Sequence, residues 1–167
     1  MLSKRFYIFF LTLLLISCSQ SESQKGHLII IGGGSRPDNI MEKIVQLAGG
    51  EKAKIVIVPS ASSHPLKTAL YQKKQFESHN PETVDYILST NNIVDSDSNL
   101  EKLDDATGIF FSGGDQRRLS KLLLGTELLD KIKSIYDNGG VIGGTSAGAA
   151  VMSKIMITGD ELINQDS

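Results

Sequence analysis

A serine held between glycines is where this chain carries the means to do chemistry. Ser146 lies in GGTSAGAAVMS, residues 143–153, where an apolar run closed by glycines passes into small helix formers. Gly144, Ser146 and Gly148 spell GxSxG, the spacing of a sharp strand-to-helix turn. Such a turn needs glycine on both flanks, because a side chain there collides with the strand or the helix as the chain reverses. The reversal lifts the serine hydroxyl clear of the sheet. Ala147 then opens the helix, and its N–H, without an acceptor inside the helix, faces the place where an oxyanion forms in acyl transfer. The same layout also suits a turn that only packs, or that holds an anion, and the motif alone leaves both readings open.

A second segment favours chemistry. FFSGGDQRRL, residues 110–119, is again an apolar strand running into a glycine pair, followed by a helix beginning near Asp115. The spacing between the two glycine turns is that of a βα repeat. In a parallel sheet both lie at the C-terminal edge, where open α/β sheets build their sites. Gly113 and Gly114 can then offer backbone N–H groups opposite Ala147.

FFSGGDQ followed by GGTSAGAAVMS closely resembles the cyanophycinase family of serine peptidases, which includes the aspartyl dipeptidases. The early IIIGGG, residues 29–34, and the IVPSASS ending at Ser63 are similar to that family's first two strand ends. The resemblance implies an α/β fold with a doubly wound, mostly parallel sheet of the class I glutamine amidotransferase-like kind. It implies Ser146 as nucleophile, an oxyanion hole from Ala147 and Gly114, and Gln116, Gly113 and Asp115 on the substrate side. The implied substrate is an aspartyl peptide rich in Asp and Arg: the β-Asp-Arg polymer cyanophycin or an Asp-X dipeptide. No metal or other cofactor is implied, and a homodimer is left open.

One departure stands out. In that family the catalytic histidine lies C-terminal to the serine, in a DQHF-like strand end with arginines following, and an acidic partner comes later. Here His27, His64 and His79 all precede Ser146. The sequence thus reads as truncated after the nucleophile, its C-terminal part missing. A serine at its free pKa is a poor nucleophile and needs an imidazole within hydrogen-bond reach. His27 begins the first strand and His79 sits in a polar helix exit, so both read as structural or solvated. His64 follows PSASS on the same sheet edge as Ser146 and can line the pocket, but its order and spacing match no serine–histidine pair. The alternative reading is a catalytically inactive, lipid-anchored binding domain. Arg36, Arg117 and Arg118, near glycine turns, can meet an acidic substrate group, although exposed helix arginines are more often simply solvated.

The elements that position these residues follow from hydrophobic periodicity. Residues 28–31 form a continuous apolar run before three glycines, which predicts a strand buried on both faces. A helix follows, capped by Asp38, with Ile40, Met41, Ile44, Val45 and Ala48 inward and Gly49–Gly50 as its stop. Residues 55–58 give the second strand, and Pro65 opens a helix that turns Leu66, Ala69, Leu70 and Phe76 to the sheet. Strands at 84–88, 108–111 and 141–143 complete the set. Residues 96–103 suit a short helix or a loop, and Leu128, Leu129, Ile132, Ile135 and Tyr136 recur at helical spacing. A dinucleotide fold is disfavoured, because residues 32–37 read GGGSRP and do not complete GxGxxG.

The first residues read as a targeting segment rather than fold. Lys4 and Arg5 precede a stretch at 6–16 dominated by Phe, Leu and Ile, well short of the ~20 residues a spanning helix needs. LISC at 15–18 resembles a lipoprotein cleavage box. Residues 1–17 therefore read as a lipoprotein signal peptide, 18–26 as a tether beginning at a lipidated Cys18, and 27–167 as the N-terminal part of the peptidase domain. The expected location is the cell envelope, on the periplasmic or extracellular face. Ser19 favours the outer membrane where there are two. Cys18 is the single cysteine, which excludes a disulfide within the chain. With a formal net charge of −2 and no tryptophan, the chain has no basic stripe for nucleic acid.

Overall fold

The computed structural model describes residues 25–88 and 94–157. Five strands form one sheet: β1 (His27–Ile31), β2 (Lys54–Val58), β3 (Thr83–Tyr86), β4 (Gly108–Phe111) and β5 (Val141–Thr145). Their order is β1-β5-β4-β2-β3, and every pairing is parallel. Parallel neighbours need crossovers, which the helices supply: α1 (Asp38–Leu47), α2 (Pro65–Glu77), α3 (Asp97–Asp104), α4 (Gln116–Leu123), α5 (Glu127–Asp137) and the short α6 (Ala147–Ala150).

Alternation along the strands divides the core into two layers. Ile55, Ile57, Phe110 and Val141 face α1 and α2, packing with Met41, Ile44, Val45 and Phe76. Phe76 meets Phe110 edge-on, with ring centroids 5.2 Å apart at 74°. Val56, Val58, Ile109, Phe111 and Ile142 face the other way, onto Leu103, Leu119, Leu122, Leu128 and Ile132 of α3, α4 and α5. Helices on both faces of a parallel sheet make the doubly wound α/β architecture that the glycine-punctuated βα alternation predicts.

Three local expectations need correcting. β1 is not buried on both faces: it pairs only with β5, and Leu28 and Ile30 remain 46% and 68% exposed. An apolar run shows affinity for a core, not that a second layer covers it. On α2, Leu66 and Leu70 are exposed, while Gln72 is buried with Ala69 and Phe76. Positions 69, 72 and 76 share one face at helical spacing. Gln72 is tolerated there because its Oε1 accepts from the buried Ser112 hydroxyl at 2.6 Å. Asp38 does not cap α1 but is its first residue, after Pro37, with its carboxylate 3.2 Å from His79 Nε2 though not aligned as a hydrogen bond.

Other elements fall where the sequence places them, with shifted ends. α3 settles 96–103 as a helix, β5 runs two residues beyond Gly143, and β3 begins at Thr83. Gly26, the end of the expected tether, donates its N–H to Tyr136 O at 2.7 Å. Cys18 and the leader lie outside the described residues. Among the described residues no helix is long and apolar enough to cross a membrane.

Candidate active site

Ser146 occupies the junction of β5 and α6 with φ 52° and ψ −113°. A positive φ is costly for a residue with a side chain and persists only where the surroundings enforce it. Here they do. The Ser146 N–H donates to Ile31 O of β1 at 2.8 Å, and the Ser146 carbonyl accepts from Ala149 and Ala150. Thr145 and Ala147 on either side are buried, whereas Ser146 itself is exposed. A Cβ on Gly144 would overlap the Gly148 carbonyl oxygen, and one on Gly148 would overlap that of Phe111. Both glycines of GxSxG are thus required by backbone contact, one within the turn and one between α6 and β4.

The second glycine turn lies beside the first. β4 and β5 are neighbours, with Phe111 in register with Gly144. A Cβ on Gly113 would stand 3.3 Å from Ser146 Cβ. Gly114 has φ 143°, and its Cα approaches the Ala61 carbonyl so closely that a Cβ would overlap it. Asp115 N–H donates to Ala61 O at 2.9 Å, tying this loop to the one that follows β2. Asp115 also caps α4: its carboxylate accepts from Arg117 N–H at 2.9 Å and pairs with the Arg117 guanidinium. The Arg117 side chain, and next its backbone N–H, hold the Asp115 carboxyl below the usual carboxylate range. Gln116, the first residue of α4, donates through Nε2 to Ile157 O at 3.0 Å.

A cavity of about 470 Å³ opens over Ser146. Gly33, Gly34 and Arg36 from the β1–α1 loop line it, with Ser62 and His64 before α2, Lys67, Thr68, Tyr71 and Gln72 on α2, and Gly113 and Thr145 at the strand ends. Of the three arginines singled out in the sequence, only Arg36 lines it. His64 lines it too, but its Nδ1 is 3.0 Å from Ser63 Oγ. Among the described residues no hydrogen bond joins the Ser146 hydroxyl to a histidine.

Gly33 was missed in the sequence as a site residue. Its φ is 120°, and a Cβ there would lie 3.8 Å from Ser146 Oγ. Its signal was the parallel pairing that sets Ile31 beside Thr145, which the sequence does not specify. Lys67 and Tyr71 were missed because attention to the apolar stripe of α2 passes over its polar rows.

A parallel α/β sheet that presents an exposed serine on a strained, glycine-enforced turn at its C-terminal edge has the elbow geometry used by nucleophilic hydrolases. Within that class the chain belongs to Peptidase family S51, whose model matches residues 28–166. It is 37% identical over 143 residues to the cyanophycinase of Synechococcus elongatus, covering 83% of this chain and 44% of that protein. To the cyanophycinase of Geminocystis herdmanii it is 34% identical over 140 residues, covering 81% and 52%. The chain therefore spans about half the length of the curated relatives it matches. Among solved structures, a peptidase from an acI-B1 Actinobacterium shares the fold with a TM-score of 0.66 at 23% identity, over 81% of this chain and 59% of that one. A putative peptidase E from Listeria monocytogenes EGD-e does so with a TM-score of 0.54 at 19% identity, over 75% and 61%.

Proposed function

We propose that this protein is a serine-type peptidase of aspartyl peptides, of the β-Asp-Arg or Asp-X kind, in which Ser146 is the nucleophile. Ser146 Oγ attacks the scissile carbonyl, its proton passing to a base, and an acyl-enzyme forms as the amine leaves; water then releases the acid. The N–H groups of Ala147 and Gly114 receive the oxyanion, and Gly113, Asp115 and Gln116 border the substrate. The observation that carries this reading is the strained φ of an exposed Ser146 against Gly113 and Gly33. Cyanophycinases among the relatives suggest the substrate. A Cys18 lipid anchor would place the enzyme at the cell envelope. Cys18→Ala should then abolish labelling by a fatty-acid analogue, and unchanged labelling would refute the anchor.

A second reading, an inactive binding domain with the same pocket, is favoured by the lack of any histidine bonded to Ser146 among the described residues. Hydrolysis and binding of cyanophycin and of aspartyl-alanine by the protein and by Ser146→Ala separate the two. Turnover abolished in Ser146→Ala supports the peptidase. Binding without turnover supports the second reading. Turnover that survives the substitution, or neither binding nor turnover, overturns the assignment of Ser146.

A further inference from the structure

We infer that Arg36, fixed over Tyr71 and Gln75 at the rim of the Ser146 cavity, is the specificity-determining residue that binds the free carboxylate of an aspartyl substrate. The inference rests on the peptidase reading above and adds to it the group that selects aspartate.

Arg36 is restrained along its whole length. Pro37 follows it and limits its backbone to extended conformations. Its guanidinium carbon lies 5.7 Å from the centroid of the Tyr71 ring. Its Nη2 donates to Gln75 Oε1 at 2.7 Å. Tyr71 and Gln75 are one turn apart on α2, so a single helix face grips the side chain at its plane and at its head. An arginine that is merely solvated keeps its rotamers; ordering this side chain costs entropy, and a bound partner recovers that only if the fork is already aimed.

The fork also has capacity left. Arg36 Nε is shielded from water and, among the described residues, has no hydrogen-bond partner. A shielded donor without an acceptor is unfavourable, and a carboxylate that moves aside the atoms covering it and takes two N–H groups side by side satisfies it. The cavity's charge agrees. Its basic lining consists of Arg36, Lys67 and His64, with no Asp or Glu, in a chain that has 19 acidic against 17 basic residues. Among the described residues neither Arg36 nor Lys67 is paired with a carboxylate, so both remain available to an incoming anion.

Substrate chemistry explains why one arginine serves both aspartyl dipeptides. In an Asp-X dipeptide the carbonyl under attack is the α one and the free carboxylate is on the side chain. In free β-aspartyl-arginine, unlike the polymer, whose α-carboxyls are held in backbone amides, the side-chain carbonyl is attacked and the free carboxylate is the α one. Both are four-carbon succinyl skeletons, with two carbons between the reacting carbonyl and the carboxylate. One anion subsite at a fixed distance from Ser146 therefore accepts either and rejects asparaginyl and neutral analogues.

The test is binding, measured by calorimetry on the full chain carrying Ser146→Ala, so that turnover plays no part. The probes are β-aspartyl-arginine amide and aspartyl-alanine amide, each beside the analogue in which its free carboxylate is a carboxamide. The carboxylate probes should bind about tenfold or more tighter than their carboxamides, the strength of a charge-assisted pair. Arg36→Gln should reduce that ratio to about one. Arg36→Lys, which keeps the charge but not the fork, should leave an intermediate ratio and remain informative if the glutamine variant does not fold. The two probe pairs report separately on the side-chain and the α-carboxylate. A preference unchanged in both variants overturns the subsite and leaves the peptidase reading standing. No binding of any probe overturns the aspartyl substrate class, and the subsite with it.

Discussion

Replacing Ser146 by glycine should stabilise the protein, and comparison with Ser146→Ala isolates why. Both substitutions remove the hydroxyl, which makes no hydrogen bond among the described residues. Only glycine removes the Cβ that makes φ 52° unfavourable. Strain of this kind is worth about 1–3 kcal/mol, and the greater freedom of glycine in the unfolded chain takes back about 0.4–1 kcal/mol. The net gain is about 0.5–2 kcal/mol, equivalent to roughly 2–8 °C in melting temperature for a domain of this size. Ser146→Ala keeps the positive φ and should stay within about 0.5 kcal/mol of the parent. Thermal unfolding followed by circular dichroism reads both. If the glycine variant melts no higher than the alanine variant, the turn is not strained and the argument that the fold enforces an unfavourable serine fails.

Gly148→Ala forces a Cβ into the Phe111 carbonyl and should lower stability by about 1–3 kcal/mol, seen as a lower urea midpoint with an unchanged slope. Gln72→Leu leaves the buried Ser112 hydroxyl without its acceptor and should cost about 1–3 kcal/mol; adding Ser112→Ala should recover most of the loss, and a purely additive double mutant would contradict the pairing. The Asp115 carboxyl is held below its ordinary value by Arg117, so its contribution is present above the unfolded carboxylate pKa and is lost as pH falls through the lower folded one. Asp115→Asn should therefore flatten the acid limb of the stability curve without changing its neutral-to-alkaline shape. The raised Lys54, paired first with Glu82 and then with Asp105, works in the opposite sense: its contribution holds below the unfolded lysine pKa and disappears as pH rises through the folded value, which Lys54→Met should abolish.

Much of this was legible in the sequence for one reason: glycine marks close backbone approach. Gly114, Gly144 and Gly148 are placed by contacts that exclude a Cβ, and Gly113 by a tight one, so motif and geometry coincide there. Periodicity found α1 and α5 because their buried faces are wholly apolar. It failed on α2, where Gln72 is buried by virtue of a partner 40 residues away, a fact absent from any local window. It failed on β1 because lateral strand order, and so which strand lies at an edge, is a property of the whole sheet. The cavity lining was the least legible part. Arg36, Lys67, Tyr71 and Gly33 belong to different loops and helices, and only the crossover geometry brings them above Ser146.

The way the loops are pinned has a consequence for how such a site can change. The nucleophile turn, the β4–α4 loop and the loop after β2 are locked to one another through backbone atoms: Ser146 N to Ile31 O, Asp115 N to Ala61 O, and glycines pressed against carbonyls. None of these contacts uses the side chains of Lys67, Tyr71 or Gln75, which follow one another at one-turn spacing along a single face of α2. Reactive geometry and ligand choice are thus written in separate sets of positions. A duplicated copy can alter what it admits by substitutions on one helix face while the turn that would perform the chemistry stays intact, and recognition can drift without the reaction being lost.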